Sequence, residues 1–155
     1  MPVDGSDLLP QKGTKNTKMR NTEIFELCDI VRETGFAIHK YLRNGHAEKV
    51  YETALFNRLR KQNINVVQQH PLPVFDEDGS LLGDFYADLF VESRLIVEIK
   101  AVRYTLDEHV AQLLGYLRAS HVAHGLLVNF GAPKYQIKKF ILKDALEGNL
   151  KGTGS

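Results

Sequence analysis

Glu98 and Lys100 stand two residues apart in the run Arg94–Val102, RLIVEIKAV, where Leu95, Ile96, Val97 and Ile99 otherwise read as a strand covered by protein. The side-chain period of a strand is two, so Glu98 and Lys100 share one face with Ile96, and Val97 and Ile99 take the other. That face is therefore not simply solvent. A Glu-x-Lys triplet alone is a weak signal, usually no more than an ion pair. The preceding segment, DFYADLFV, adds a second mid-strand carboxylate, Asp88, among Tyr86, Leu89, Phe90 and Val91.

If the two strands form a hairpin, Asp88 lies directly opposite Glu98 only when Val91 pairs with Leu95, leaving Glu92, Ser93 and Arg94 as the loop. A two-residue loop would send the carboxylates to opposite faces, and a bulge would change the parity again. Two carboxylates held within a few ångströms repel, and a fold keeps such a pair only with a proton, a cation or water to compensate. A hard divalent cation is the natural partner.

The elements that must position these groups are set by periodicity. Thr22 is a candidate N-cap, and Ile24, Leu27, Cys28, Val31, Ile38 and Leu42 then keep helical spacing up to Asn44-Gly45. A second helix is expected from about Ala47 to Gln62, with Tyr51, Leu55 and Leu59 inward. Glu48, three residues before Tyr51 and seven before Leu55, projects along that same face, whereas Lys49 and Glu52 are expected to face elsewhere. Strand-like segments come next at Asn65–His70, Leu72–Phe75, Leu81–Val91 and Leu95–Val102, with DEDGS as a turn and Pro71 and Pro73 marking an edge or a bend. Leu106–Ser120 returns to helical spacing with Val110, Leu113, Leu114 and Leu117 as its core face, and His109, Gln112 and Tyr116 beside it. His124–Phe130 reads as a buried strand and Tyr135–Leu142 as a more exposed one. The order α-α-β-β-β-α-β-β is an α/β fold, a mixed sheet flanked by helices.

Composition bounds the rest. At 155 residues, with 43% hydrophobic and 25% charged, the chain suits one domain: a flexible leader over residues 1–21, a folded unit over 22–145 and a flexible tail over 146–155. The single cysteine, Cys28, forms no internal disulfide, and one thiolate builds no metal cluster, so a reducing, cytoplasmic setting is expected. No apolar run reaches the roughly 18 residues of a membrane span. A net charge of +1 offers no global attraction to a polyanion, so any nucleic-acid contact must be local.

Taken together, Asp88 followed by Glu98-x-Lys100 on the next strand resembles the signature of the PD-(D/E)XK nucleases, with Ala87 where that signature has a variable proline. The stretch GHAEKVY, Gly45 to Tyr51, resembles the motif of the GxxExxY proteins within that superfamily, and YADLFV, IVEIKAV, HVAQLLGYL and LLVNFGAP are similar to its later blocks. The resemblance runs from about Ile24 to Leu142 and implies a restriction-endonuclease-like fold. It implies metal-dependent hydrolysis of phosphodiesters in nucleic acid, DNA before RNA, with Asp88, Glu98 and Lys100 catalytic. Mg²⁺ or Mn²⁺ would take oxygen ligands from Asp88, Glu98 and the Ile99 carbonyl, with Glu48 directly or through water. Lys100 would orient the nucleophile or stabilise the transition state. Gln112 and Tyr116 resemble the Gln-x-x-x-Tyr pair of RecB-type and lambda-type exonucleases and would hold the metal shell or a phosphate.

Blander readings stand beside these. Glu48 equally suits an ordinary helix-start carboxylate, Gln112 and Tyr116 equally suit a core border, and His70, His109 and Lys134, Lys138, Lys139 and Lys143 read as surface groups. The rival function is a non-catalytic module on the same fold that binds nucleic acid or a partner protein.

Overall fold

A computed structural model describes residues 21–143. The expected leader, but for Asn21, and the expected tail lie outside the described residues. Two helices, α1 (Asn21–Leu42) and α2 (Glu48–Lys61), precede strands β1 (Val66–Phe75), β2 (Leu81–Val91) and β3 (Leu95–Lys100). Helix α3 (Asp107–Ser120) then leads to β4 (His124–Asn129) and β5 (Gln136–Ile141). The strands form one sheet in sequence order, antiparallel except where β3 runs parallel to β4. Helix α3 is the crossover that such a parallel pair requires. This is the expected order, and β1 and β5 are the edges.

Each face of the sheet carries its own core. Ile24, Val31 and Ile38 of α1 and Tyr51, Leu55 and Leu59 of α2 pack with Leu89, Val91, Leu95, Val97 and Ile99 on one face. Leu113 and Leu117 of α3 pack with Leu72, Ala87, Ile96 and Leu127 on the other. Because both faces are covered, β3 and β4 are nearly continuous apolar runs, and Glu98 is a buried exception in the first of them.

Strand β2 changes faces midway. Leu89 and Val91 face α1 and α2, whereas Ala87, also odd-numbered, faces α3. The change falls at a gap in the ladder, where Gln68 pairs with Leu89 and His70 with Ala87 while Gln69 and Asp88 between them are unpaired. Gln69 there has φ 53°, a left-handed conformation that strands avoid. One inverted residue swaps the parity of the residues beyond it, so Val66 faces α1 and α2 while Leu72 of the same strand faces α3.

Three expected boundaries move. The segments Asn65–His70 and Leu72–Phe75 are one strand, with Pro71 and Pro73 accommodated because β1 is an edge. Thr22 lies inside α1 rather than capping it, and α1 stops at a left-handed Arg43 (φ 60°) whose N–H donates to the His39 carbonyl. Strand β3 ends at Lys100 because Asn129 takes both polar groups of Val102: its Oδ1 accepts Val102 N–H at 3.0 Å and its Nδ2 donates to the Val102 carbonyl at 2.9 Å. Gly131 makes this contact possible, since a Cβ there would stand 2.2 Å from Val102 N.

Tyr135 packs its ring against Phe130 and Phe36, with a buried hydroxyl that has no hydrogen-bond partner among the described residues. Burial pushes this phenol above its ordinary range. A buried, unpartnered hydroxyl costs about 1–3 kcal/mol. We therefore expect Tyr135→Phe to raise the melting temperature by about 2 °C or more, measured by calorimetry. A lower melting temperature would show that the hydroxyl contributes.

Candidate active site

The hairpin between β2 and β3 has the register that brings the two carboxylates together. Val91 pairs with Leu95, Phe90 with Ile96 and Leu89 with Val97, and Glu92, Ser93 and Arg94 form the turn with positive φ at Glu92 and Ser93. At the next rung side chains replace backbone bonds. Ile99 N–H donates to Asp88 Oδ2 at 2.8 Å, and Asp88 N–H donates to Glu98 Oε1 at 3.2 Å. Each carboxylate thus braces the opposite strand. The amide and carbonyl of one strand residue leave by the same edge, so the Ile99 carbonyl also faces Asp88.

The charge is crowded. Burial, then the neighbouring Asp88, pushes Glu98 up to about 8. Burial likewise raises Asp88, the Ile99 amide opposes the rise and Glu52 adds to it. Glu48 is exposed as a residue at the start of α2, yet partial burial of its carboxyl group raises it too. Lys100 acts against that rise, Asp88 and Glu52 add to it, and the Ala101 backbone amide opposes it weakly. Glu48 is therefore within electrostatic range of Asp88 and Lys100. Lys100 favours the charged form of all three carboxylates. Neither Asp88, Glu98 nor Glu48 forms a direct ion pair with Lys100, so the ammonium acts on the site without being tied to one carboxylate.

The loop that aims Glu48 is held by Tyr51. Its ring stacks on Phe130 at 4.7 Å between centroids, and its hydroxyl donates to the Arg43 carbonyl and accepts the His46 amide. Gly45 between them has φ +117°, which favours glycine.

Glu52 corrects an expectation. It does not face elsewhere: it is 3% exposed and accepts hydrogen bonds from Gln68 Nε2 at 2.6 Å, Gln69 Nε2 at 2.9 Å and Lys49 Nζ at 2.7 Å. Gln69 Nε2 also donates to Asp88 Oδ1 at 3.3 Å, so one amide links Glu52 to Asp88. Sitting four residues after Glu48, Glu52 shares its side of the helix, and that spacing was the available signal. Gln69 carried none, because a left-handed glutamine inside a strand is invisible in a sequence.

Gln112 and Tyr116 are brought together, with Gln112 Nε2 donating to the Tyr116 hydroxyl at 3.0 Å and the Tyr116 ring stacked on Phe85. These contacts tie them to each other and to β2 rather than to Asp88, Glu98 or Lys100. His109 Nδ1 accepts the Leu106 amide at the start of α3, and His70 stacks on Phe90, so both have local structural partners.

Helices followed by a five-stranded mixed sheet with one crossover helix define a restriction-endonuclease-like α/β fold. A family model described as the PD-(D/E)XK nuclease superfamily matches residues 25–140, and the chain belongs to that superfamily. No curated protein matches the sequence. Among solved structures, the crystal structure of SSO0001 is similar with a TM-score of 0.51 and 20% identity, a likeness of fold alone. The match covers 67% of this chain and 55% of that one, so this chain spans about half the length of SSO0001.

The raised Glu98 sets a pH dependence. A carboxyl that binds its proton more tightly when folded stabilises the fold below the unfolded value, about 4.3, and loses that contribution as pH climbs to about 8. With chelator present, we expect the wild-type melting temperature to fall between pH 5 and pH 8, and Glu98→Gln to flatten the fall. The variant should gain a few kcal/mol relative to wild type at pH 8 and little at pH 5. Parallel melting curves for the two proteins would remove Glu98 as the source.

Proposed function

We propose that the protein hydrolyses phosphodiester bonds of nucleic acid, DNA in the first place, with Asp88, Glu98 and Lys100 as its catalytic residues. The observation that carries this reading is the facing pair of half-buried Asp88 and buried Glu98, whose crowding raises both proton affinities, beside a lysine paired with neither. The donors suit Mg²⁺ or Mn²⁺: carboxylate oxygens of Asp88 and Glu98, the Ile99 carbonyl beside them and Glu48 at the rim. Among the described residues no three His, Cys, Asp or Glu side chains stand as a ready-made cage, so the carbonyl and water would complete the set. When bound, the cation would supply Lewis acidity, acidifying water and offsetting phosphate charge. Asp88 and Glu98 hold the site through oxygens not used by the opposite strand. Lys100 reaches the phosphate or the attacking water and neutralises charge that develops there. Glu52, through Gln69, sets the rotamer of Asp88. Gln112 and Tyr116 would support the substrate from α3.

We also place the chain in the GxxExxY branch, where the motif has a mechanical sense: Gly45 makes the turn, Tyr51 clamps it and Glu48 is aimed at Asp88. A cytoplasmic setting fits the lone buried Cys28. No helix among the described residues is long and apolar enough to cross a membrane.

The competing reading is a binding module that does not cleave. It draws on the same carboxylates, each already hydrogen-bonded by the opposite strand, as a purely structural brace would be.

Cleavage of labelled DNA and RNA oligonucleotides with Mg²⁺, Mn²⁺ or EDTA separates the two. We expect cleavage with either cation and none in EDTA, and a loss of about 10²–10³-fold in Lys100→Met with cation binding nearly intact. Near-wild-type turnover in that variant would take Lys100 out of the mechanism. For Asp88→Asn we expect a higher melting temperature in EDTA above pH 8, where Glu98 is ionised, because one of two repelling charges is gone. Mg²⁺ at about tenfold above its Kd should stabilise the wild type by roughly 1.4 kcal/mol, about 3 to 5 °C, and the variant hardly at all. Equal Mg²⁺ shifts in both proteins would show that Asp88 is no ligand.

A further inference from the structure

Beyond the last rung shared with β3, strands β1 and β2 continue as a two-stranded arm, since β2 pairs with β3 only through Leu89, Phe90 and Val91 but with β1 down to Leu81. One face of the arm is spoken for: Leu72, Phe85 and Ala87 pack with α3. The other carries Tyr86, 55% exposed, paired across the arm with Pro71, which is exposed as well. Asp88, two residues on, extends its carboxylate to Gln69 and so toward Glu52 of α2, the side that Tyr86 also faces. Two residues along a strand span about 7 Å, close to the separation of adjacent nucleotides in an extended chain. At the other end of the site, four residues past Lys100, Tyr104 is 67% exposed with the Arg103 guanidinium 5.7 Å above its ring. The Asn129 clamp on Val102 fixes where that loop leaves β3.

The charge around the site decides what such a surface can take. Asp84, Glu48, Glu52, Asp88 and Glu98 stand against Arg43, Lys49, Lys100 and Arg103, and Lys49 is engaged by Glu52. A duplex is held chiefly through cationic contacts to its phosphates, and the carboxylates here outnumber the cations. Stacking on an aromatic ring contributes about 1–3 kcal/mol per base and needs no excess cation, but the base must be unpaired.

We infer that the arm is a stacking platform for single-stranded nucleic acid, with Tyr86 receiving an unpaired base next to the bond to be cut and the Arg103–Tyr104 pair contacting the strand past Lys100. This rests on the reading of nucleic acid as substrate and narrows it to unpaired strands. Single-stranded DNA and RNA share the stacking chemistry, and the test carries both.

The test is fluorescence anisotropy of the full chain in EDTA, where binding is read without cleavage, using a labelled 20-mer as DNA, as RNA and as DNA duplex. We expect at least one single strand to bind about tenfold or more tightly than the duplex, with a shallow salt dependence. Tyr86→Ala should weaken that binding about 5- to 150-fold, Tyr86→Phe should stay within about twofold of wild type, and duplex binding should not change. Equal wild-type affinity for strand and duplex would overturn the inference, as would an unaffected Tyr86→Ala whose melting temperature matches wild type. The two readings fail separately. Tyr86-dependent strand binding without cation-dependent cleavage would sink the nuclease and leave the platform. Cleavage of duplex that ignores Tyr86 would do the reverse.

Discussion

The rung at which Gln69 and Asp88 leave the β1–β2 ladder is the constraint around which the molecule is arranged. Backbone amides in a covered sheet must be satisfied, and two of them, on Asp88 and Ile99, are satisfied by carboxylates of the facing strand. With side chains in place of carbonyls the strands can part, and β2 can change faces without orphaned donors. Upstream the strand serves α3, and downstream it serves α1 and α2. The same substitution puts two carboxylates side by side under protein cover, which is why their proton affinities rise. Structural brace and proposed reactive centre are one feature.

Much of the structure around that rung holds it in place. Gln69 is kept left-handed, at a cost of order 1 kcal/mol, while its amide bridges Glu52 and Asp88. Glu52 can remain buried because Lys49 and two glutamine amides meet its oxygens. Asn129 stops β3 directly after Lys100, and Tyr51 locks the turn that presents Glu48. Three separated segments, β1, α2 and β4, thus converge on the rung. A protein that needed only a stable sheet would gain by replacing this polar cluster with packed apolar residues. Its presence in a chain otherwise built on two apolar cores is a physical argument for function.

The balance of charge near the site shapes what it can recognise. With carboxylates outnumbering cations, the proposed affinity for nucleic acid would rest on contacts that do not count charges, and the arm offers aromatic area where the sheet lacks a covering helix. The opposite face of the same arm is filled by Phe85 against Tyr116, so the proposed platform would be backed by packed rings.

Residue spacing alone determined the order of elements and the apolar faces of the helices, and it made the loop of Glu92, Ser93 and Arg94 the condition for the carboxylates to meet, which the register of the hairpin then satisfied. Because side chains alternate strictly along strands, a three-residue loop is enough to set Asp88 against Glu98. The azimuth of Glu48 was legible for a similar reason, since helical angles are set by residue number. Tertiary structure decided what lay across from each face. The burial of Glu52 depends on β1 running beneath α2 with two glutamines in reach, and the pairing of Gln112 with Tyr116 depends on Phe85 lying under α3. The face change at Asp88 depends on a backbone inversion at Gln69, a residue type with no preference for it. Periodicity records which residues of one element share a side. Partners are chosen by register and by local backbone flips, and those are settled only when the elements pack together.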